Sequence, residues 1–293
     1  MKILLDTDIG CDIDDCLAIP YLLSSERVEL LGITTVTGSP NKRAQLARAV
    51  CDACGKDIPI HVGFAEPLSG PLYQTALTDT QEAVAKQSSV AYSEEPTAIE
   101  FMRQIIEDNP HEVTLVSIGP LTNIGVLFSE YPHIPSLLKG LAIMGGRYTN
   151  DPDFDTARWG KKEWNIHCDI KAANIVFSQC ASPCLVIGVE QTCRFSVIPQ
   201  PLKETLFRYP QWRPVSDSIN TVAKSIYFHD VILLYSLLHP EDVEIICGNI
   251  SVDSEGTTEF TSSDEGMFCL VSGYDPYRFF ESYKEALGIE LQS

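Results

Sequence analysis

The feature that most narrows the fold is a repeated alternation of short apolar β-type runs with longer helical segments. Residues 113–118, VTLVSI, are apolar enough to be buried on both faces, and they pass through Gly119-Pro120 into a helical stretch at 121–128. Residues 2–5, 28–36, 59–64, 141–144, 185–189, 243–247 and 268–271 read as further strands. Helices are expected at 15–23 (weakened by Pro20), 42–54, 99–106, 170–177, 215–227, 231–238 and 276–287. In the second of these Leu46, Val50 and Ala53 share a face, and in the third Ile99, Met102, Ile105 and Ile106 do. Strand and helix in turn predict an α/β fold of three layers, with a mainly parallel (mixed) central sheet and helices on both faces. Short polar turns between 247 and 268 predict an added hairpin or antiparallel edge. No linker interrupts the pattern, so residues 1–293 are expected to form a single domain. The polar stretch 68–95 lacks a period and reads as a mobile loop or lid.

Sheets of this kind place their sites beyond the carboxyl ends of the strands. Directly after the first strand stand Asp6, Asp8, Asp12, Asp14 and Asp15, five carboxylates within ten residues. Left ionised and unpaired they would repel one another, and a bound cation removes that cost. The donors are all hard oxygens, which favours Ca²⁺ or Mg²⁺ over zinc, and Gly10 lets the backbone turn so that they converge. Capping accounts for less: Asp12 as N-cap and Asp15 at the third helical position would use two of the five. Two later junctions are also equipped for chemistry. Glu163-Trp164-Asn165 offers an acid, a flat apolar face and an amide, and His229-Asp230 sets an imidazole and a carboxylate at a helix start.

Charge and cysteine usage exclude other classes. With 40 acidic and 21 basic residues the formal net charge is −19, so the basic footprint of a nucleic-acid binder is missing. A small neutral substrate, or one held through a metal, suits this balance better. No apolar run is long enough to span a bilayer, and MKILLDTDIG is too short and too acidic for a signal peptide; a cytoplasmic protein is expected. The ten cysteines are scattered through apolar patterns and read as structural thiols rather than as a zinc or redox centre.

Taken in order, DTDIGCDIDDCLAI, GITTVTG, LVSIGPLTNIG, IMGG, EWNIHCDIKAA and the His-Asp pair at 229–230 make a specific signature. The chain resembles the inosine-uridine preferring nucleoside hydrolase family over nearly its whole length. The resemblance implies a single α/β domain and hydrolysis of the N-glycosidic bond of ribonucleosides by a Ca²⁺-activated water, releasing ribose and base. It further implies Asp8, Asp15 and Asp230 as side-chain ligands of the ion and Ile118 as a carbonyl ligand, with Asp8 also the base that takes the water's proton. Glu163, Asn165 and the carbonyl of Met144 would meet ribose hydroxyls beside Trp164, and His229 would face the nucleobase. A homodimer or homotetramer is implied as well.

The chain departs from the family's pattern in four places, one of them the absence from 68–95 of the family's histidine-glycine motif near the base. Two extra residues separate Gly10 from the final Asp14-Asp15, leaving Asp12 and Asp14 as rival sugar-binding carboxylates. Ser39 stands where the family commonly has asparagine, as a shorter donor toward a sugar hydroxyl or water. The family's sugar-binding asparagine has only Asn150 as a counterpart in the longer segment between Met144 and Glu163. Two rival functions remain on the residues alone. One is a Mg²⁺-dependent phosphohydrolase using Asp6-x-Asp8, for which the later loops lack the expected lysine. The other is a riboside-binding protein without catalysis.

Overall fold

A computed structural model describes residues 1–290 apart from 75, 89, 94, 150–153 and 161. Nine strands form one sheet: β1 (Lys2–Thr7), β2 (Glu29–Thr35), β3 (Ile60–Val62), β4 (Val113–Ser117), β5 (Gly140–Met144), β6 (Cys184–Ile187), and, after a two-stranded ribbon of β7 (Ser196–Val197) and β8 (Ile226–Tyr227), β9 (Val243–Val252), β10 (Thr258–Ser262) and β11 (Phe268–Tyr274). Their spatial order is β10-β9-β11-β6-β5-β4-β1-β2-β3. From β11 to β3 the pairs are parallel, and β9 joins β11 and β10 antiparallel, so the expected hairpin is present.

Helices cover both faces, because the central strands alternate their apolar side chains between two cores. Ile3, Leu5, Val116, Ala142 and Met144 point into one core, with Leu17 and Tyr21 of the helix Asp14–Ser24 and Val231 and Leu234 of the helix His229–Leu238. Leu4, Leu115, Leu141 and Ile143 point into the other, with Met102 and Ile106 of the helix Ala98–Asp108 and Ala172 and Val176 of the helix Ile170–Gln179. A strand buried on both sides has no polar face, which is why these runs read as continuously apolar. The ten cysteines are all free thiols. Among the described residues no helix is long and apolar enough to cross a membrane.

Three sequence expectations need correction. The helix expected at 215–227 is only Arg213–Ser218: the Ser218 hydroxyl donates back to the Pro214 carbonyl (2.8 Å), Ile219 turns extended, and residues 220–224 are exposed, with no apolar face to bury a continued helix. The strand expected at 243–247 runs on to Val252. Within the stretch read as a loop, Asp79–Ala85 is a helix, opened by a reciprocal capping box between Thr78 and Gln81.

Candidate active site

Strand order reverses between β1 and β4: the chain steps one way through β2 and β3 and the other way through β5 and β6. The loops leaving β1 and β4 therefore part and open a crevice at this switch point. A cavity of about 730 Å³ lies there. Asp8, Asp12, Asp14, Asp15, Ile118, Met144, Glu163, Trp164, Asn165, His229 and Asp230 all line it. Ser39 is not among its lining residues; it stands at the N-cap of the helix Pro40–Ala53 without a side-chain cap bond. Asn150 lies outside the described residues.

The cavity floor is made of carboxylates. The helix after β1 starts at Asp14, with Ile13 rather than Asp12 at its N-cap, so the capping roles expected of Asp12 and Asp15 are not the ones they have. Asp14 and Asp15 fall together in the first turn, buried, whereas Asp12 sits on the exposed loop and accepts from the Ile13 N–H (2.8 Å). Carboxylate oxygens of Asp14, Asp15 and Asp230 lie within 4.8 Å of one another. Asp15 also accepts from the Thr7 hydroxyl. Burial, and then repulsion among the carboxylates, holds Asp14, Asp15 and Asp230 well above the usual carboxylate range, and burial raises Asp8 to about 6. The donor chemistry fits a hard divalent cation, which would relieve this repulsion with oxygen ligands alone.

The loop carrying Asp8 is held from behind by Arg43, a fully buried guanidinium. It donates to the carbonyls of Asp8, Ile9 (3.0 Å), Gly10 (3.1 Å) and Thr37 (2.8 Å). Asp6 does not reach the cavity lining. Its Oδ1 accepts from the Thr34 hydroxyl (2.5 Å) and the Asn123 amide (2.8 Å), so it fastens β1 to its neighbours. Asn123 belongs to the LTN run and also donates to the Thr35 carbonyl (3.1 Å), which gives that run a structural purpose.

Glu163 and Asn165 form the side of the cavity. Glu163 caps the helix Trp164–Cys168 and accepts three backbone N–H groups, from Asn165 (2.9 Å), Ile166 (3.1 Å) and Gly146 (3.0 Å). Burial nevertheless raises it to about 7. Asn165 donates to the Met144 carbonyl (3.0 Å) and approaches that of Ile118 (3.4 Å), tying the ends of β5 and β4 together. His229 faces the cavity from the first turn of its helix, its Nδ1 paired with the Thr192 hydroxyl (2.6 Å) and its ring stacked on Tyr227. Desolvation lowers it to about 4, so it is a neutral imidazole at neutral pH. Arg43 and Thr192 were not foreseen, since the site residues they hold, Asp8 and His229, lie more than thirty residues away in the chain.

A family model described as "Inosine-uridine preferring nucleoside hydrolase" matches residues 3–281. A probable uridine nucleosidase of Oryza sativa subsp. japonica is 28% identical over 288 residues, covering 91% of this chain and 86% of its own length. A non-specific ribonucleoside hydrolase of Salmonella paratyphi C is 28% identical, with 89% and 86% covered. Among solved structures, a purine-preferring ribonucleoside hydrolase from Gardnerella vaginalis superposes with a TM-score of 0.81 at 22% identity, and a plant nucleoside hydrolase with 0.80 at 23%, each covering 98% of both chains. These two likenesses bear on the fold, which agrees with the sheet and switch point described above. With the model matched along nearly all of its length, the chain belongs to the inosine-uridine preferring nucleoside hydrolase family.

Proposed function

We propose that this chain, acting as one unit over residues 1–293, hydrolyses the N-glycosidic bond of ribonucleosides or related ribosides with Ca²⁺ as cofactor. The observation that carries the reading is the buried trio Asp14, Asp15 and Asp230 on the floor of a cavity that also holds Asp8 and His229, in a chain of this family. Asp8, Asp15 and Asp230, with the Ile118 carbonyl, would hold the ion. When bound, such an ion supplies Lewis acidity to water and an anchor for vicinal sugar hydroxyls. Asp14, buried beside Asp15 and Asp230 where Asp12 is exposed, takes the sugar-binding role.

Asp8 then accepts the proton of the attacking water. Glu163 and Asn165 orient the ribose from the side, where Asn165 already fixes two backbone carbonyls. Carboxylates around the ring stabilise the positive charge that grows on it as the base departs. His229 faces the departing base and offers it a hydrogen bond. Among the described residues no side chain stands as a separate nucleophile, so a single displacement by water is expected.

The test is a panel of nucleosides assayed for free ribose and base, with and without a chelator. Turnover that is lost on chelation, and restored by Ca²⁺ better than by Mg²⁺, is expected. Phosphate release from sugar phosphates without base release would instead support the phosphohydrolase, and riboside binding without turnover a non-catalytic protein; neither is favoured by the family. We also propose self-association as a dimer or tetramer, for which the exposed Ile245, Ile246 and Met267 are available surface, measurable by light scattering.

A further inference from the structure

The two extra residues between Gly10 and Asp14 have a use in the fold. Cys11 donates its backbone N–H to the Gln81 side chain (2.8 Å), and Gln81 donates in turn to the Asp12 carbonyl (2.8 Å). The Cys11 thiol donates to the Ala76 carbonyl. Leu77 packs so closely on Gly10 (φ +113°) that a Cβ there would lie 2.8 Å from its Cγ. The expanded loop is thus a platform on which the segment after β3 docks across the cavity mouth.

Gln74 lies where this docking brings the segment to the chemistry. Its Nε2 donates to the Gly10 carbonyl (3.3 Å), two residues from Asp8, and its Oε1 accepts from the Trp164 indole N–H (2.8 Å); the amide also favours the anion of Asp8. A carboxamide carries N–H donors and a carbonyl in one plane, so one group can donate to the Gly10 carbonyl and accept from the Trp164 indole at once. A carboxylate of similar reach has no donor for the carbonyl. Trp164 is 48% exposed and Tyr73 44%, and they approach each other at 6.0 Å beside the opening, so the indole that Gln74 holds is also a wall of the cavity.

We propose that Gln74 is a positioning residue of the hydrolytic site, which locks the loop that carries Asp8 to the Trp164 wall when the segment bearing Gln74 is docked. The proposal rests on the reading of Asp8 as the base. A base held at the correct angle lowers the barrier of the step in which the proton moves, so losing the lock reduces kcat. A residue that only lined the cavity would change KM instead.

Kinetics on the Ca²⁺-loaded protein, with the nucleoside it turns over best, separate the two. Q74A is expected to lower kcat by roughly tenfold or more while KM stays within about twofold. W164F keeps an aromatic wall but removes the indole donor, and is expected to lower kcat less. The double variant is expected to be no worse than Q74A, since both act on one lock. Without substrate, the Trp164 emission, taken as the difference between wild type and W164F, is expected to shift to the red and become more accessible to acrylamide in Q74A. A KM effect with kcat intact, additive losses, or unchanged Trp164 emission overturns the proposal. Absence of turnover in the wild type overturns the reading of Asp8 itself, and the emission arm still reports whether Gln74 holds Trp164.

Discussion

The floor of the cavity and its rim are held by different kinds of bond. Asp8, Ile118 and Met144 lie at or within one residue of the ends of β1, β4 and β5, adjacent members of the sheet whose backbones are paired on both sides. Their places follow from the sheet, and Arg43 and Asn165 fasten the same loops through backbone carbonyls. At the rim, Gln74 and Trp164 meet through side chains 90 residues apart, and Gln81 reaches 69 and 70 residues back to the expanded loop. Each such bond contributes only about 1 kcal/mol net. The difference teaches a division of labour: parts that must be placed within fractions of an ångström hang from strands, and parts that must open for a substrate hang from a few separable bonds.

The largest expected effect breaks the floor. Asp8→Asn keeps the shape of the side chain and removes the base, so kcat should fall by about 10²–10⁴-fold. The fold should survive, because burial already raises this carboxyl to about 6 and a neutral group is tolerated there. Steady-state kinetics beside thermal unfolding of both proteins check this. An Asp8→Asn protein with a third or more of the wild-type kcat would move the base elsewhere.

A second effect concerns how the wall beside the floor responds to pH. Burial raises Glu163 to about 7 from an ordinary 4.5, although three backbone N–H groups favour its anion. Between those values the folded protein holds a proton that the unfolded chain has released. The contribution of this group to stability is therefore full below about pH 4.5 and is lost as pH rises through about 7. The slope from one such group is at most about 1.4 kcal/mol per pH unit. Glu163→Gln cannot titrate, and its urea-unfolding free energy in excess Ca²⁺ should decline less from pH 5 to pH 7 than that of the wild type. Equal declines would mean that the three N–H groups, not burial, govern this carboxyl.

The same division decided what could be read from the residues alone. β1 and its acidic exit were legible because Ile3-Leu4-Leu5 is an unbroken apolar run and five carboxylates stand between Asp6 and Asp15. The different burial of Asp12 and Asp14 was not legible, because it depends on where the helix begins; it begins at Asp14, which turns Asp14 and Asp15 inward together and leaves Asp12 exposed. Arg43 was missed because its partners are carbonyls, which every residue has, and no complementary side chain marks them. The Thr78-x-x-Gln81 spacing was a visible helix start inside a stretch read as a loop, yet the same glutamine's hold on Cys11 and Asp12 depends on tertiary contact. Ser39 illustrates the opposite case: a motif position suggested a sugar contact, and the residue stands at a helix N-terminus outside the lining of the cavity.

The smallest expected effect sharpens the contrast by loosening the rim and leaving the floor alone. Gln81 is buried and does not line the cavity, so replacing it touches no reacting group. Gln81→Leu keeps the bulk and removes the bonds to the Cys11 N–H and the Asp12 carbonyl. When the segment lifts, water can satisfy those two groups, so the cost to docking is about 1–2 kcal/mol rather than a full burial penalty. A site that must be docked to bind loses affinity in proportion to the docked fraction, and saturating substrate restores docking by mass action. KM should therefore rise by roughly five- to tenfold, with kcat close to that of the wild type. Faster hydrogen exchange in the helix Asp79–Ala85, with exchange in β1 and β4 unchanged, should accompany it. A fall in kcat at saturation, or faster exchange reaching β1, would show that rim and floor are one cooperative unit and that the division drawn between them is wrong.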